Sequence, residues 1–182
     1  MNHLLVTLGL LVALSAGAAR GTGCHPVSCP SGWSLFEGSC YRYYEERVDQ
    51  PEALRRCLEY TDEQGSLVSI ATDAENAFAY DLFRSIAGDT PEWKVDPRLY
   101  GYWMGLHRNN PDGEWEWTDG TPAGYFNWQP NEPNDVAGIE DCVQVLRRHA
   151  TDDDLRGWND LRCTGSYLVE IPFMCEMPAS SS

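Results

Sequence analysis

The 182-residue chain carries 28 acidic against 13 basic residues, a formal charge of -15, with 42% hydrophobic and 12% aromatic residues. That content suits one well-buried domain, the charge repels phosphate backbones and anionic lipid surfaces, which argues against nucleic acid, and the lack of any stretch beyond the N-terminal apolar run that could span a bilayer argues against membrane insertion. An acidic chain is usually just solvated by its carboxylates, so spacing has to separate a solvated face from a site for a hard cation.

The N-terminus reads as an export signal. Leu4 to Leu14 is an apolar run followed by Ser15, Ala16, Gly17, Ala18 and Ala19, with cleavage expected after Ala18. It departs from the usual pattern in having no Lys or Arg before the run. A membrane anchor needs roughly 20 apolar residues, and this run ends well short of that. The mature chain is therefore expected to be secreted and extracellular, where cysteines pair. Seven cysteines, at 24, 29, 40, 57, 142, 163 and 175, imply three bridges and one spare thiol. Seven choices of odd cysteine and fifteen pairings of the rest leave 105 arrangements open. Zinc held by Cys24 and Cys29 would need a second pair at ligand spacing, and the sequence has none.

In "CPSGWSLFEGSCYRYYEE" (29–46), apolar and aromatic residues broken by Gly38 suggest a strand pair closed by Cys29 and Cys40. "QPEALRRCLEYTD" opens a first helix at Pro51, with Leu54, Cys57 and Leu58 on one face. "TDAENAFAYDLFRSIAG" is a second helix, with Thr72 and Glu75 spaced as a capping box, Phe78, Leu82 and Ile86 in register, and Gly88 as the stop. Short strand-like runs follow, "YWMGL", "EWEWTD", "CVQVL" and "FMCEM", between long stretches of Pro, Asn, Asp and Gly. Two helices followed by strands and long loops indicate an α+β domain.

The stretch "QPNEPNDVAGIEDC" (129–142) holds acids, amides and two prolines with little to bury. With "WMGL" (103–106), "EPN" (132–134), "EDC" (140–142) and "WND" (158–160) in this order among these cysteines, residues 29–177 resemble a C-type lectin domain of the long form with an N-terminal hairpin. The resemblance implies two helices with small antiparallel sheets and a long calcium-binding loop region over roughly 108–160. It also implies the bridges Cys29–Cys40, Cys57–Cys175 and Cys142–Cys163, leaving Cys24 unpaired within the domain. Close to the mature N-terminus, that thiol is expected to form an intermolecular disulfide and a linked homodimer, with a free or glutathione-capped thiol as the alternative. The expected plan is a signal peptide over 1–18, a short segment over 19–28, the domain over 29–177 and a tail over 178–182.

Calcium takes six to eight hard oxygens at about 2.3–2.6 Å, a demand that mixed carboxylates and amides meet. Glu132, Asn134, Glu140, Asn159 and Asp160 are such a mixture and are the expected calcium and sugar ligands. The resemblance further implies a cis bond at Pro133, which turns the flanking side chains toward one ion. The alternative is a pair of ordinary exposed turns. An ion held on one wall leaves coordination positions that two neighbouring hydroxyls can fill, each donating to a carboxylate and accepting from an amide. In lectins like this one, Glu before Asn goes with mannose-type sugars (mannose, glucose, N-acetylglucosamine, fucose), whereas Gln before Asp goes with galactose. Asp112, Asp135, Glu140 and Asp141 match the family's second calcium position, but Arg108 stands where an acid is expected there. A cation beside that site repels the ion and can take its place.

The "DDD" at 152–154 reads as a solvated turn, and the tryptophans at 103, 115, 117, 128 and 158 as core. No enzyme is expected, because the histidines at 3, 25, 107 and 149 make no ligand spacing, no serine sits in a nucleophile elbow, and strand alternation parts the carboxylates of "DGEWEWTD". The expected function is calcium-dependent binding of mannose-type glycans in innate recognition or agglutination. Two alternatives stand beside it: a matrix or mineral-associated protein that uses the fold without sugar, and a protein-binding module. No N-x-S/T acceptor occurs.

Overall fold

The computed structural model describes residues 27–87, 101–109, 113–146, 156–165 and 169–181. The expected export signal, Cys24, Gly88, Asp112 and the acidic triplet at 152–154 lie outside them.

A hairpin opens the domain: β2 (Ser34–Phe36) and β3 (Ser39–Val48) turn through Glu37 and Gly38, both at positive φ (44° and 96°), a conformation that suits glycine. Helix α1 (Gln50–Tyr60) starts where Asp49 accepts the Glu52 N–H at 3.1 Å, with Pro51 in the first turn where its missing N–H costs nothing. After β4 (Ser66–Leu67) comes α2 (Asp73–Ala87), whose first turn is capped by Thr72 Oγ1 on the Glu75 N–H at 3.1 Å. Glu75 reaches back past Thr72 to the Ala71 N–H at 2.7 Å, and its other oxygen accepts the Tyr41 hydroxyl at 2.6 Å, tying α2 to β3.

The rest is strand and loop. Beyond α2 come β5 (Gly101–His107), β6 (Glu116–Trp117), a 3-10 turn (Val136–Gly138), β7 (Cys142–Leu146), β8 (Trp158–Leu161) and β9 (Ile171–Pro178). Strands β2 to β9 form one sheet in the order β2-β3-β9-β5-β7-β8, with β4 on β9 and β6 on β5. Its pairings are antiparallel except the parallel contact of β5 with β9. Two flanking strands, β1 (Val27–Ser28) and β10 (Ser180–Ser181), pair with each other, so regular structure runs past both expected domain boundaries.

The sheet is covered on both faces. Ile171, Phe173 and Cys175 pack with Trp103 against Ala53 and Cys57 of α1, whereas Met174 joins Tyr102, Met104 and Leu106 against Ala79, Tyr80 and Phe83 of α2. Burial on both faces explains why "YWMGL" and "FMCEM" read as largely apolar runs, the second interrupted by Glu176, which accepts from Ser69. Three disulfides join Cys29–Cys40, Cys57–Cys175 and Cys142–Cys163. The second closes 118 residues of chain and restricts the unfolded state by about 4–5 kcal/mol in the chain-entropy picture.

The packing refines three expectations. Helix α2 turns Asn76, Ala79, Tyr80 and Phe83 inward, while Phe78 and Leu82 are half-buried and Ile86 is exposed. Helix α1 centres its buried face on Ala53 and Cys57, with Leu54 and Leu58 at its margin. Trp103, Trp117 and Trp158 are core, but Trp115 and Trp128 lie half-buried over its edge.

The polar Asn76 faces inward because it partners a tryptophan. Its Oδ1 accepts the Trp158 indole N–H at 3.0 Å and its Nδ2 donates to the Arg156 carbonyl at 3.2 Å, at a position with no solvent exposure. Asn76→Leu keeps the volume but strands a buried donor, an expected loss of about 1–3 kcal/mol in denaturant unfolding. An unchanged midpoint would show that the Asn76 bonds contribute nothing.

Candidate functional site

Of the candidate ligands, Asn134 (through its backbone), Glu140 and Asp160 come together where the loop 130–141 meets β8. Trp158 begins that strand and is boxed by Trp117, Tyr125, Phe126 and Trp128 at 5.6–6.4 Å between ring centroids. Its backbone pins the incoming loop, donating to the Asn127 carbonyl at 2.8 Å and accepting from the Gln129 N–H at 2.9 Å. Gln129, 4% exposed, sends Nε2 to the Leu146 carbonyl at 2.9 Å, and its carbonyl accepts the Glu132 N–H at 2.9 Å. Gly157 admits this side chain, since a Cβ there would come within 2.5 Å of Gln129 Cγ. Gln129 thus sets the entry of the Glu132–Pro133–Asn134 turn, whose Glu132–Pro133 bond is cis. An isolated glutamine in a loop offers no periodic or spacing signal that marks this role.

β8 pairs with β7 in the register Val143↔Asp160 and Gln144↔Asn159, and the Cys142–Cys163 bridge ties the ends of that pair. Asp160 is 1% exposed, and its two oxygens accept the N–H groups of Asn134 (3.0 Å) and Asp135 (2.8 Å). One carboxylate therefore fastens the loop to the strand. Asn159 is half-buried and donates through Nδ2 to the Asp160 carbonyl at 2.6 Å. Glu140 accepts the Val136 N–H at 2.9 Å, while its own N–H donates to Asp135 Oδ1 at 3.0 Å. These cross-bonds hold the tight turn in which Asp135, Ala137 and Gly138 take positive φ. Glu132 is half-buried, with Oε2 shut off from solvent.

The electrostatics are those of crowded acids. Burial first, then the charges of Asp160 and Asp135, push the Glu140 carboxyl above the usual carboxylate range. Asp135 shifts the other way: the Glu140 backbone N–H and then the Arg108 guanidinium hold it below that range. Among the described residues no three His, Cys, Asp or Glu side chains stand grouped as a metal cage. The set here is a mixture in which Asn134 and Asn159 offer amide oxygens, and Asp160 spends its oxygens on backbone N–H groups. Three carboxylates and two amides nonetheless match the donor chemistry of a hard divalent cation. Asp141 is engaged by Arg108, and Asp112 lies outside the described residues.

This fold is that of a lectin-type domain, and comparison with known proteins agrees. Residues 46–177 match the family of the lectin C-type domain, and the chain belongs to it. An alpha-N-acetylgalactosamine-specific lectin of Patiria pectinifera is 31% identical over 87% of this chain and 84% of its own. The carbohydrate-recognition domain of cow CD23, solved in the presence of a GlcNAc2Man3 oligosaccharide, is 30% identical with a TM-score of 0.63, covering 85% of this chain and 99% of its own. A calcium-independent type II antifreeze protein is 26% identical with a TM-score of 0.64, over 86% and 99%. Among the described residues no helix is long and apolar enough to cross a membrane.

Proposed function

We propose that this domain is a secreted, calcium-dependent lectin for mannose-type sugars, acting in recognition or agglutination of glycan-bearing cells. Glu132, Asn134, Glu140, Asn159 and Asp160 would hold one calcium ion. Bound there, calcium supplies open coordination positions for two neighbouring sugar hydroxyls. The protein's own groups orient those hydroxyls: the carboxylates of Glu132 and Glu140 accept their protons, and the amides of Asn134 and Asn159 donate to their oxygens. The same side chains so serve ion and sugar. The observation that carries this reading is the Asp160 clamp, which fastens the Glu132–Asn134 turn to the strand bearing Asn159.

The named relatives divide on sugar, since one is named for N-acetylgalactosamine and another was solved with a mannose-containing oligosaccharide. The choice for this chain rests on the order Glu132 then Asn134. The likeness to a calcium-independent antifreeze protein favours a second reading, a matrix, mineral-associated or protein-binding module. A glycan array probed with and without chelator separates them. Retention on mannose-type glycans in calcium alone supports the lectin, and a blank array in both conditions supports the second reading.

We also propose that Cys24 links two copies through a disulfide. A single exposed sugar site binds near the millimolar range, about -4 kcal/mol, and two linked sites gain orders of magnitude on a multivalent surface. Non-reducing electrophoresis is expected to show a dimer that Cys24→Ser abolishes. A monomer band for the unaltered protein, or a dimer that survives the substitution, refutes the link.

A further inference from the structure

The family's second calcium position does not fit this chain, and the reason lies in one side chain. Arg108 follows β5 and is 10% exposed. Its Nη2 pairs with Asp135 Oδ2 at 2.7 Å and its Nε with Asp141 Oδ1 at 2.9 Å. Nη2 also donates to the Glu140 carbonyl at 3.3 Å, and the Arg108 N–H donates to the Asp141 carbonyl at 2.9 Å. The guanidinium carbon lies 5.0 Å from the centre of the Trp115 ring, which covers it. The oxygens that would surround a second ion therefore already face a cation. Asp135 is engaged through both oxygens, since Oδ1 takes the Glu140 N–H.

We infer that Arg108 is a tethered substitute for the second calcium ion, a positioning residue that keeps the loop 135–141 in shape so that one calcium suffices for the sugar site. A guanidinium is planar, permanently charged and forked, and it binds two carboxylates without needing any free ion. Seating calcium in its place would require the guanidinium to leave Trp115 and both aspartates, and would press a divalent charge against it. An ion pair built into the chain does not dissociate as calcium falls. The loop keeps its tie at low calcium, and the ion at the sugar site binds without a cooperative partner.

The inference rests on the calcium reading above only in its stoichiometry, and the test separates the two. Calcium is titrated by calorimetry and native mass spectrometry into the full mature chain, and melting is followed in excess chelator. The unaltered protein is expected to take one ion with no cooperativity. Arg108→Asp, which supplies the missing acid, is expected to take two ions. Arg108→Gln is expected to bind its one ion about 10–100-fold more weakly, as loss of a supporting contact around a metal ligand does. It is also expected to melt about 2–4 °C lower in chelator, where no calcium contributes. Arg108→Lys keeps the charge without the fork and is expected to fall between Gln and the unaltered protein. Two ions on the unaltered protein overturn the inference, as does an Arg108→Gln chain that matches it in calcium affinity and in chelator melting. No calcium on the unaltered protein would sink the calcium reading, and the chelator melts would then decide Arg108 alone.

Discussion

Asp160→Asn is expected to remove calcium and mannose binding together while leaving the disulfide-pinned fold standing. Both Asp160 oxygens accept backbone N–H groups of the opposing loop, at 3.0 and 2.8 Å, in a position 1% exposed. An asparagine there keeps one acceptor and turns an amide N–H2 toward the other donor, so one buried N–H is left facing hydrogens. Charge-assisted bonds are worth about 1.5–3 kcal/mol, and an unsatisfied buried donor costs about 1–3 kcal/mol. The substitution also deletes one of the three carboxylates proposed to hold the ion. Calcium affinity is expected to fall at least about 100-fold in calorimetry. Retained calcium and mannose binding would show that Asp160 is only a structural clamp.

The second large effect is on sugar choice. Glu132→Gln with Asn134→Asp conserves charge and ligand count while exchanging which side presents an acid and which an amide. If those groups orient the hydroxyl pair, mannose binding falls at least tenfold, or about 1.4 kcal/mol, with calcium affinity nearly unchanged. Galactose binding is expected to emerge but to stay weak, because nothing large covers the sugar's apolar face. Val136, 58% exposed beside the turn, has room for a larger ring, and its N–H bond to Glu140 does not depend on the side chain. Adding Val136→Trp is expected to strengthen galactose binding by stacking on the sugar's C–H face. Unchanged mannose preference in the double variant, with calcium still bound, would place selectivity outside 132–134.

The legible parts of this fold are those where burial leaves a pattern. "CVQVL" coincides with β7, and "YWMGL" and "FMCEM" lie within β5 and β9, because strands covered on both faces are largely apolar, with Gln144 and Glu176 the polar exceptions. The existence of α2 was readable from its cap, but its orientation was not. Counting apolar residues favoured Phe78, Leu82 and Ile86, whereas a polar Asn76 belongs inside as the acceptor for Trp158. Strand β8 hides in "WND" because its residues read as loop ligands, and only pairing with β7 makes them a strand. At the site, the oxygen-rich stretch and the odd Arg108 were both readable. The Gln129 anchor, the Asp160 clamp and the Trp115 ring over Arg108 depend on contacts across the sequence, which spacing does not encode.

The central claim is that one set of side chains holds ion and sugar at once, and linkage tests it most directly. Calcium affinity measured by calorimetry without and with saturating methyl mannoside gives a coupling factor, and mannoside affinity without and with calcium must give the same factor. The expected result is that mannoside tightens calcium binding, calcium tightens mannoside binding equally, and chelator leaves no measurable mannoside binding. Mannoside binding of equal strength in calcium and in chelator would contradict the claim.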